Sequence, residues 1–293
     1  MKKAAAVALF SEGQSQINES RSIDRALRAN DLSGRDWTRN SISVWNDIRK
    51  TAEEAKLGHP AMFPGSLVER LLLSFSRDSQ KVVLDPFCGS GATLVAANKV
   101  GKLGIGFEVA GEYHDLAVRR LRQTQSRLFG ANDAPDAVVH RADSRRMCEF
   151  LEPRSVDICI TSPPYWDILS RKRSADSKPV RDYAQGDGDL SRITSYEVFL
   201  EEMAVVFGKV SSLLKPGCYC MVVVMDIRKQ DKFYPFHADM AARLSRDDVG
   251  FIFDDLIIWD RRHEYNNLRP LGYPTTFRIN KIHEYILIFR KPK

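Results

Sequence analysis

Lys81-Val82-Val83-Leu84-Asp85-Pro86-Phe87-Cys88-Gly89-Ser90-Gly91 is the stretch that decides the fold. Its first half is a short β-branched and aliphatic run, long enough for one strand buried on both faces and too short for a helix. A proline and two glycines then break the run, and residues 92–100 read as a helix stopped by Gly101. Strand, glycine-rich turn and helix in that order begin a βαβ unit. Residues 103–109 supply a second strand and residues 113–128 a second amphipathic helix. Residues 138–142 and 156–161 are the third and fourth strands.

The alternation continues on both sides of this centre. Upstream, Ser66 and Glu69 have the spacing of a capping box, and Val68, Leu71, Leu72 and Phe75 follow at helical intervals. Downstream, Phe199, Met203, Val206, Phe207, Val210, Leu213 and Leu214 share one helical face that ends at Pro216-Gly217. A fifth strand over 219–225, a helix over 237–244 and two closing strands over 251–259 and 285–289 complete the reading. Short apolar strands alternating with helices predict an α/β domain with a parallel sheet covered on both faces. Residues 1–58 are polar and mixed in charge and read as a partly helical N-terminal extension. Residues 59–293 read as the single α/β domain.

Composition closes off other classes. The 293 residues are 43% hydrophobic and 28% charged, and no run approaches the roughly 20 apolar residues of a membrane span. Forty-four basic against 38 acidic side chains leave a net charge of +6, which permits a polyanionic partner without establishing one. The five cysteines are odd in number and form no C-x-x-C pair, as expected in a reducing compartment. Met1-Lys2-Lys3 with the short apolar stretch after it lacks a small-x-small cleavage site, so the expected location is the cytoplasm.

Two segments carry chemistry. The glycine-rich turn, with Asp85, Phe87, Gly89, Ser90 and Gly91, lets the backbone approach a ligand at a helix N-terminus; alone it fits any nucleotide or cofactor. No Gly-Lys-Ser/Thr follows, so it is not a P-loop. Glu108 ends the next strand, where an acid binds ribose hydroxyls, and Asp143 lies just past the third strand, placed to accept from an adenine amino group. Together these point to an adenosine-containing cofactor. The second segment is Thr161-Ser162-Pro163-Pro164-Tyr165-Trp166. Successive prolines stiffen it, so that the Ser162 hydroxyl and the Pro163 carbonyl aim acceptors at one point beside the Tyr165 ring. Such acceptors suit a planar base with an exocyclic amine: holding its N–H protons favours the tetrahedral nitrogen of a transition state.

Both segments resemble the amino-group DNA methyltransferases, S-adenosylmethionine-dependent enzymes that make N4-methylcytosine or N6-methyladenine. The resemblance runs from about His59 to Lys293 and includes residues 59–64, 84–91, 105–108, 161–165, 214–217 and 283–285. It implies a class I, Rossmann-like fold: a mostly parallel seven-stranded sheet ending in an antiparallel strand pair. It places Phe63, Asp85, Phe87, Gly89, Ser90, Gly91, Glu108 and Asp143 around S-adenosylmethionine and Ser162, Pro163, Pro164 and Tyr165 around a flipped base. Serine at the first position of the second motif points to cytosine N4, with adenine N6 the alternative. An RNA methyltransferase and a non-catalytic nucleic-acid-binding module are weaker readings on the same fold. The chain departs from the family in having Ala92 after Gly91. It also puts the cofactor half first, with no long insert for a target-recognition domain.

No metal is expected, because His263 and His283 lack ligand partners at close spacing. Trp166 and Trp259 read as packing residues. The expected partner is double-stranded DNA, and the family also admits a homodimer and a cognate restriction endonuclease. Two basic segments suit DNA: residues 168–192, with Arg171, Lys172 and Arg173, and residues 261–281, with Arg261, Arg262 and Arg269 against the single acid Glu264.

Overall fold

The structure, a computed structural model, describes residues 28–56, 63–128, 137–167, 189–264 and 270–293. Among these the strands are β1 (Val44–Trp45), β2 (Val82–Asp85), β3 (Leu103–Phe107), β4 (Val138–His140) and β5 (Val156–Thr161). They continue as β6 (Leu214–Val224), β7 (Ile227–Lys229), β8 (Lys232–Tyr234), β9 (Ile252–Asp260) and β10 (His283–Arg290). The helices are α1 (Gly34–Asn40), α2 (Ala52–Lys56), α3 (Gly65–Phe75), α4 (Ala92–Lys99), α5 (Gly111–Leu128), α6 (Tyr196–Leu213) and α7 (Phe236–Leu244).

The main sheet has the order β1-β9-β10-β6-β5-β2-β3-β4, and β7 and β8 form a separate hairpin. Strands β2 to β6 pair in parallel, whereas β10 runs antiparallel to both β6 and β9. The mostly parallel sheet with a closing antiparallel pair is the expected class I fold. It gains an eighth strand from the N-terminal segment, where Val44 and Trp45 pair in parallel with Ile258 and Trp259. Burial explains the addition. Trp45 is 2% exposed, its indole N–H donates to the Asn40 carbonyl at 3.2 Å, and it joins Ile48 and Trp259 in one apolar cluster.

Alternate residues of the strands feed two cores. One face packs Val222, Val224 and Leu287 against Phe199, Met203 and Phe207 of α6 and Met240 of α7. The other packs Val83, Ile158 and Ile286 against Leu67, Val68 and Leu71 of α3. Fully burying a side chain of this size stabilises by about 1.5–3 kcal/mol, so strands apolar on both faces hold the sheet centre.

Helix α3 differs from the expectation at its start. It begins at Gly65 after Pro64, and no side chain of its own caps it. The Gly65 N–H instead donates to Glu54 at 2.8 Å, and Ser66 donates to the Arg49 carbonyl at 3.1 Å. Both partners lie in the N-terminal segment, so a tertiary contact replaces the local capping box.

The chain runs from β2 outward through β3 and β4, then returns to place β5 on the other side of β2. Loops leaving adjacent carboxyl ends therefore diverge, and a crevice opens at this switch point. Gly91, at φ 78°, starts α4, and a Cβ there would stand 3.0 Å from the Ala117 Cβ.

Candidate active site

Asp85 ends β2 and Thr161 ends β5, and the two ends are tied together. The Thr161 hydroxyl donates to Asp85 Oδ1 at 2.6 Å, and the Phe87 N–H donates to the same oxygen at 3.0 Å. The carboxyl is 2% exposed, and burial pushes its pKa up to about 6 despite these donors. The crevice above this contact is a cleft open to solvent. Phe63, Asp85, Phe87, Gly89, Ser90, Glu108 and Asp143 line it, and so do Ser162, Pro163, Pro164 and Tyr165. Every expected cofactor and base residue is therefore on one cleft except Gly91, which makes the turn beneath the wall.

Glu108 closes the loop onto the next strand end. It accepts the Gly89 N–H at 2.9 Å and the Ala110 N–H at 2.8 Å. Burial outweighs those two bonds and raises its pKa to about 7. Each oxygen keeps a lone pair for a diol. On the wall, the Ser90 hydroxyl and carbonyl both accept from Arg120 of α5, at 3.1 and 2.5 Å. Asp143 lies on the wall, but its carboxylate already takes the Arg145 guanidinium at 2.6 Å and the Arg145 backbone N–H at 2.8 Å. Asp189 also reaches the cleft. No spacing in the sequence singles it out.

The second motif is braced from behind. Ser162 donates to the Tyr165 phenol at 3.3 Å, and the phenol donates to Glu284 Oε2 at 3.3 Å. Glu284 in turn is ion-paired with Arg261, which also pairs with Glu264 and lies over the Trp259 ring at 4.9 Å. A carboxylate at the end of the chain can only accept, so both hydroxyl protons point towards it. The lone pairs of Ser162 are thereby left for a donor in the cleft. Burial and the Glu284 charge push the Tyr165 pKa far above its ordinary value, so the ring stays neutral.

This brace corrects one expectation. Arg261, assigned from sequence to DNA, has a side chain only 17% exposed and engaged by two carboxylates. Glu284 lies 23 positions away and comes alongside only when β10 pairs with β9, as in the Glu284–Trp259 register. Arg262 is exposed, 3.6 Å from Asp260. Arg171, Lys172, Arg173 and Arg269 lie outside the described residues. Trp166 and Trp259 are buried, as packing residues should be.

The cleft suits a nucleoside bearing a positive charge. It offers buried acceptors at residues 85 and 108, an aromatic wall from Phe63 and Phe87, and a glycine turn where a side chain would collide. These are features of S-adenosylmethionine sites, and the residues present fit that group.

Comparison with known proteins extends the geometry. The chain is 36% identical to the Type II methyltransferase M.ScaI of Streptomyces caespitosus over 96 residues, 31% of each chain. It is 33% identical to the Type II methyltransferase M.HindIII of Haemophilus influenzae over 105 residues, 32% of this chain and 33% of that one. The matched part thus spans about a third of the length of these curated relatives. Among solved structures, a protein assigned as a DNA modification methylase in Thermus thermophilus, with S-adenosyl-L-methionine bound, is 28% identical. It covers 52% of each chain at a TM-score of 0.36. The model of the N6/N4 methyltransferase family, described as DNA methylase, matches residues 7–119 and 156–293. With most of its length matched and both motifs on one cleft, the chain belongs to the N6/N4 DNA methylase family.

Proposed function

We propose that this chain is a site-specific DNA methyltransferase that methylates the exocyclic amine of a base flipped from duplex DNA, cytosine N4 being the target. The observation that carries the reading is the meeting of the Asp85–Gly91 turn and the Ser162–Tyr165 segment in one cleft, joined by the Thr161–Asp85 hydrogen bond.

Bound in the cleft, S-adenosylmethionine supplies an electrophilic methyl group. Glu108 would hold the ribose hydroxyls, Phe63 would line the cofactor side, and Asp143 would accept from the adenine amino group while keeping its Arg145 partner. Asp85 holds the turn that carries the cofactor. On the other side Tyr165 offers its ring face to the target base, and Ser162 and the Pro163 carbonyl accept hydrogen bonds from its amine, whose surplus proton passes to solvent after methylation. An amine whose lone pair is delocalised into the ring is a poor nucleophile, and these acceptors favour the pyramidal nitrogen on which the pair becomes available. Removing the base from the stack is what brings it within reach of a cleft at the sheet's edge.

Serine at position 162 supports cytosine N4 over adenine N6. The same reading puts the chain in the cytoplasm. In support, Cys159 and Cys220 face each other across β5 and β6 as free thiols, and among the described residues no helix is long and apolar enough to cross a membrane. The test is mass spectrometry of nucleosides from DNA methylated in vitro. N4-methylcytosine is the expected product, N6-methyladenine shifts the target base, and 5-methylcytosine refutes the mechanism.

A further inference from the structure

Beyond the cleft, the described surface carries an unusual concentration of exposed apolar and basic side chains. Phe277 is 95% exposed, Tyr273 78% and Ile279 67%. All three lie between β9 and β10, in a stretch with no Asp or Glu from position 265 to position 283. Water does not favour a bare phenyl ring, and a loop that keeps three large apolar groups outside both cores has a use for them elsewhere.

The loop is not isolated. The Lys281 ammonium lies 5.0 Å from the centre of the Phe233 ring in the middle of β8, and Arg278 pairs with Asp231 at the tip of the same hairpin. The hairpin is tied in turn to the base-binding segment. Lys229 donates to Asp167 at 2.7 Å and sits 3.6 Å over the Trp166 ring, directly after Pro164-Tyr165. Hairpin, loop and base-binding segment therefore form one continuous structure at the carboxyl edge of the sheet. Arg228 and Lys232 are exposed on the hairpin, and Arg228 covers the Phe233 ring at 5.4 Å.

We propose that the β7–β8 hairpin and residues 270–282 form the face that docks duplex DNA, with Phe277 as the apolar wedge that enters the base stack. The inference rests on the DNA substrate proposed above and adds where the duplex sits and what fills the gap. Arg228, Lys232 and Lys281 match the phosphate charge, which positions the duplex without reading its sequence. A flipped base leaves a hole in the stack, and an exposed ring on the loop held by the hairpin, itself tied to Asp167 just past the base-binding segment, supplies the stacking surface that is lost. Positions 226–234 carry basic residues interleaved with Asp226 and Asp231, a mixed pattern that does not by itself mark a nucleic-acid face.

The experiment titrates the full chain and two variants, R228A/K232A and F277A, against a labelled mixed-sequence duplex and the same duplex with one abasic site. Methyl transfer is measured in parallel. The double variant is expected to weaken both duplexes about tenfold and to lower the slope of log affinity against log salt by about two. The unaltered chain is expected to hold the abasic duplex about fivefold more tightly, and F277A to lose that preference. Unchanged affinity and salt slope in R228A/K232A overturn the docking face. An abasic preference absent from the unaltered chain, or kept by F277A, overturns the wedge. Methyl transfer to DNA without these binding effects leaves the reaction standing and removes the surface. The binding effects without any methyl transfer do the reverse.

Discussion

Replacing Asp85 by asparagine should stabilise the cofactor-free protein while damaging its function. The carboxyl is buried at the end of β2, and its pKa rises from 3.8 to about 6 on folding because desolvation outweighs the Thr161 and Phe87 hydrogen bonds. A raised carboxyl pKa means that the folded chain binds the proton more tightly than the unfolded one, so stability falls as pH rises from the unfolded value through the folded value. At about 1.4 kcal/mol per tenfold change, the cost to the native protein is roughly 1–2 kcal/mol at about pH 5 and roughly 3 kcal/mol at about pH 8. Asparagine keeps an oxygen where Oδ1 accepts both donors and never ionises. The variant should therefore be the more stable of the two, by a margin that grows by roughly 1–2 kcal/mol between those pH values. Urea unfolding of both proteins without cofactor measures the gap. Calorimetry with S-adenosylmethionine should show weaker binding in the stabilised variant, a trade expected where a site holds a costly charge. A stability gap that is constant or shrinks with pH would refute the reasoning.

Three further outcomes follow from the same geometry. With the Glu108 pKa raised to about 7 by burial, cofactor affinity should be lost as pH falls through that value, and calorimetry of Glu108→Gln should show a weaker, flatter profile. Gly106→Ala would put a Cβ 2.7 Å from Leu94 Cδ1 and 2.8 Å from the Cys88 Sγ, which should cost about 1–3 kcal/mol in denaturant titration. Arg261→Ala strands Glu284, which is 6% exposed, and should destabilise by about 3 kcal/mol, whereas the exposed Arg262→Ala should stay within about 0.5 kcal/mol.

The strand–turn–helix at residues 81–100, the alternation that follows and the position of both motifs were legible in the sequence because they depend on local period and turn chemistry. A strand buried on both faces must be apolar throughout, a turn that approaches a ligand must be glycine, and neither needs distant partners to be recognised. What only the tertiary structure decided is how far-separated polar groups pair. Glu54 caps α3 in place of Ser66, Glu284 claims Arg261, and the β7–β8 hairpin meets the loop before β10 through Lys281 and Arg278. Charged side chains carry no periodic signal of their partners, since a salt bridge forms wherever the fold brings opposite charges within about 4 Å. That distance is set by strand order and register, which no stretch of chain encodes by itself.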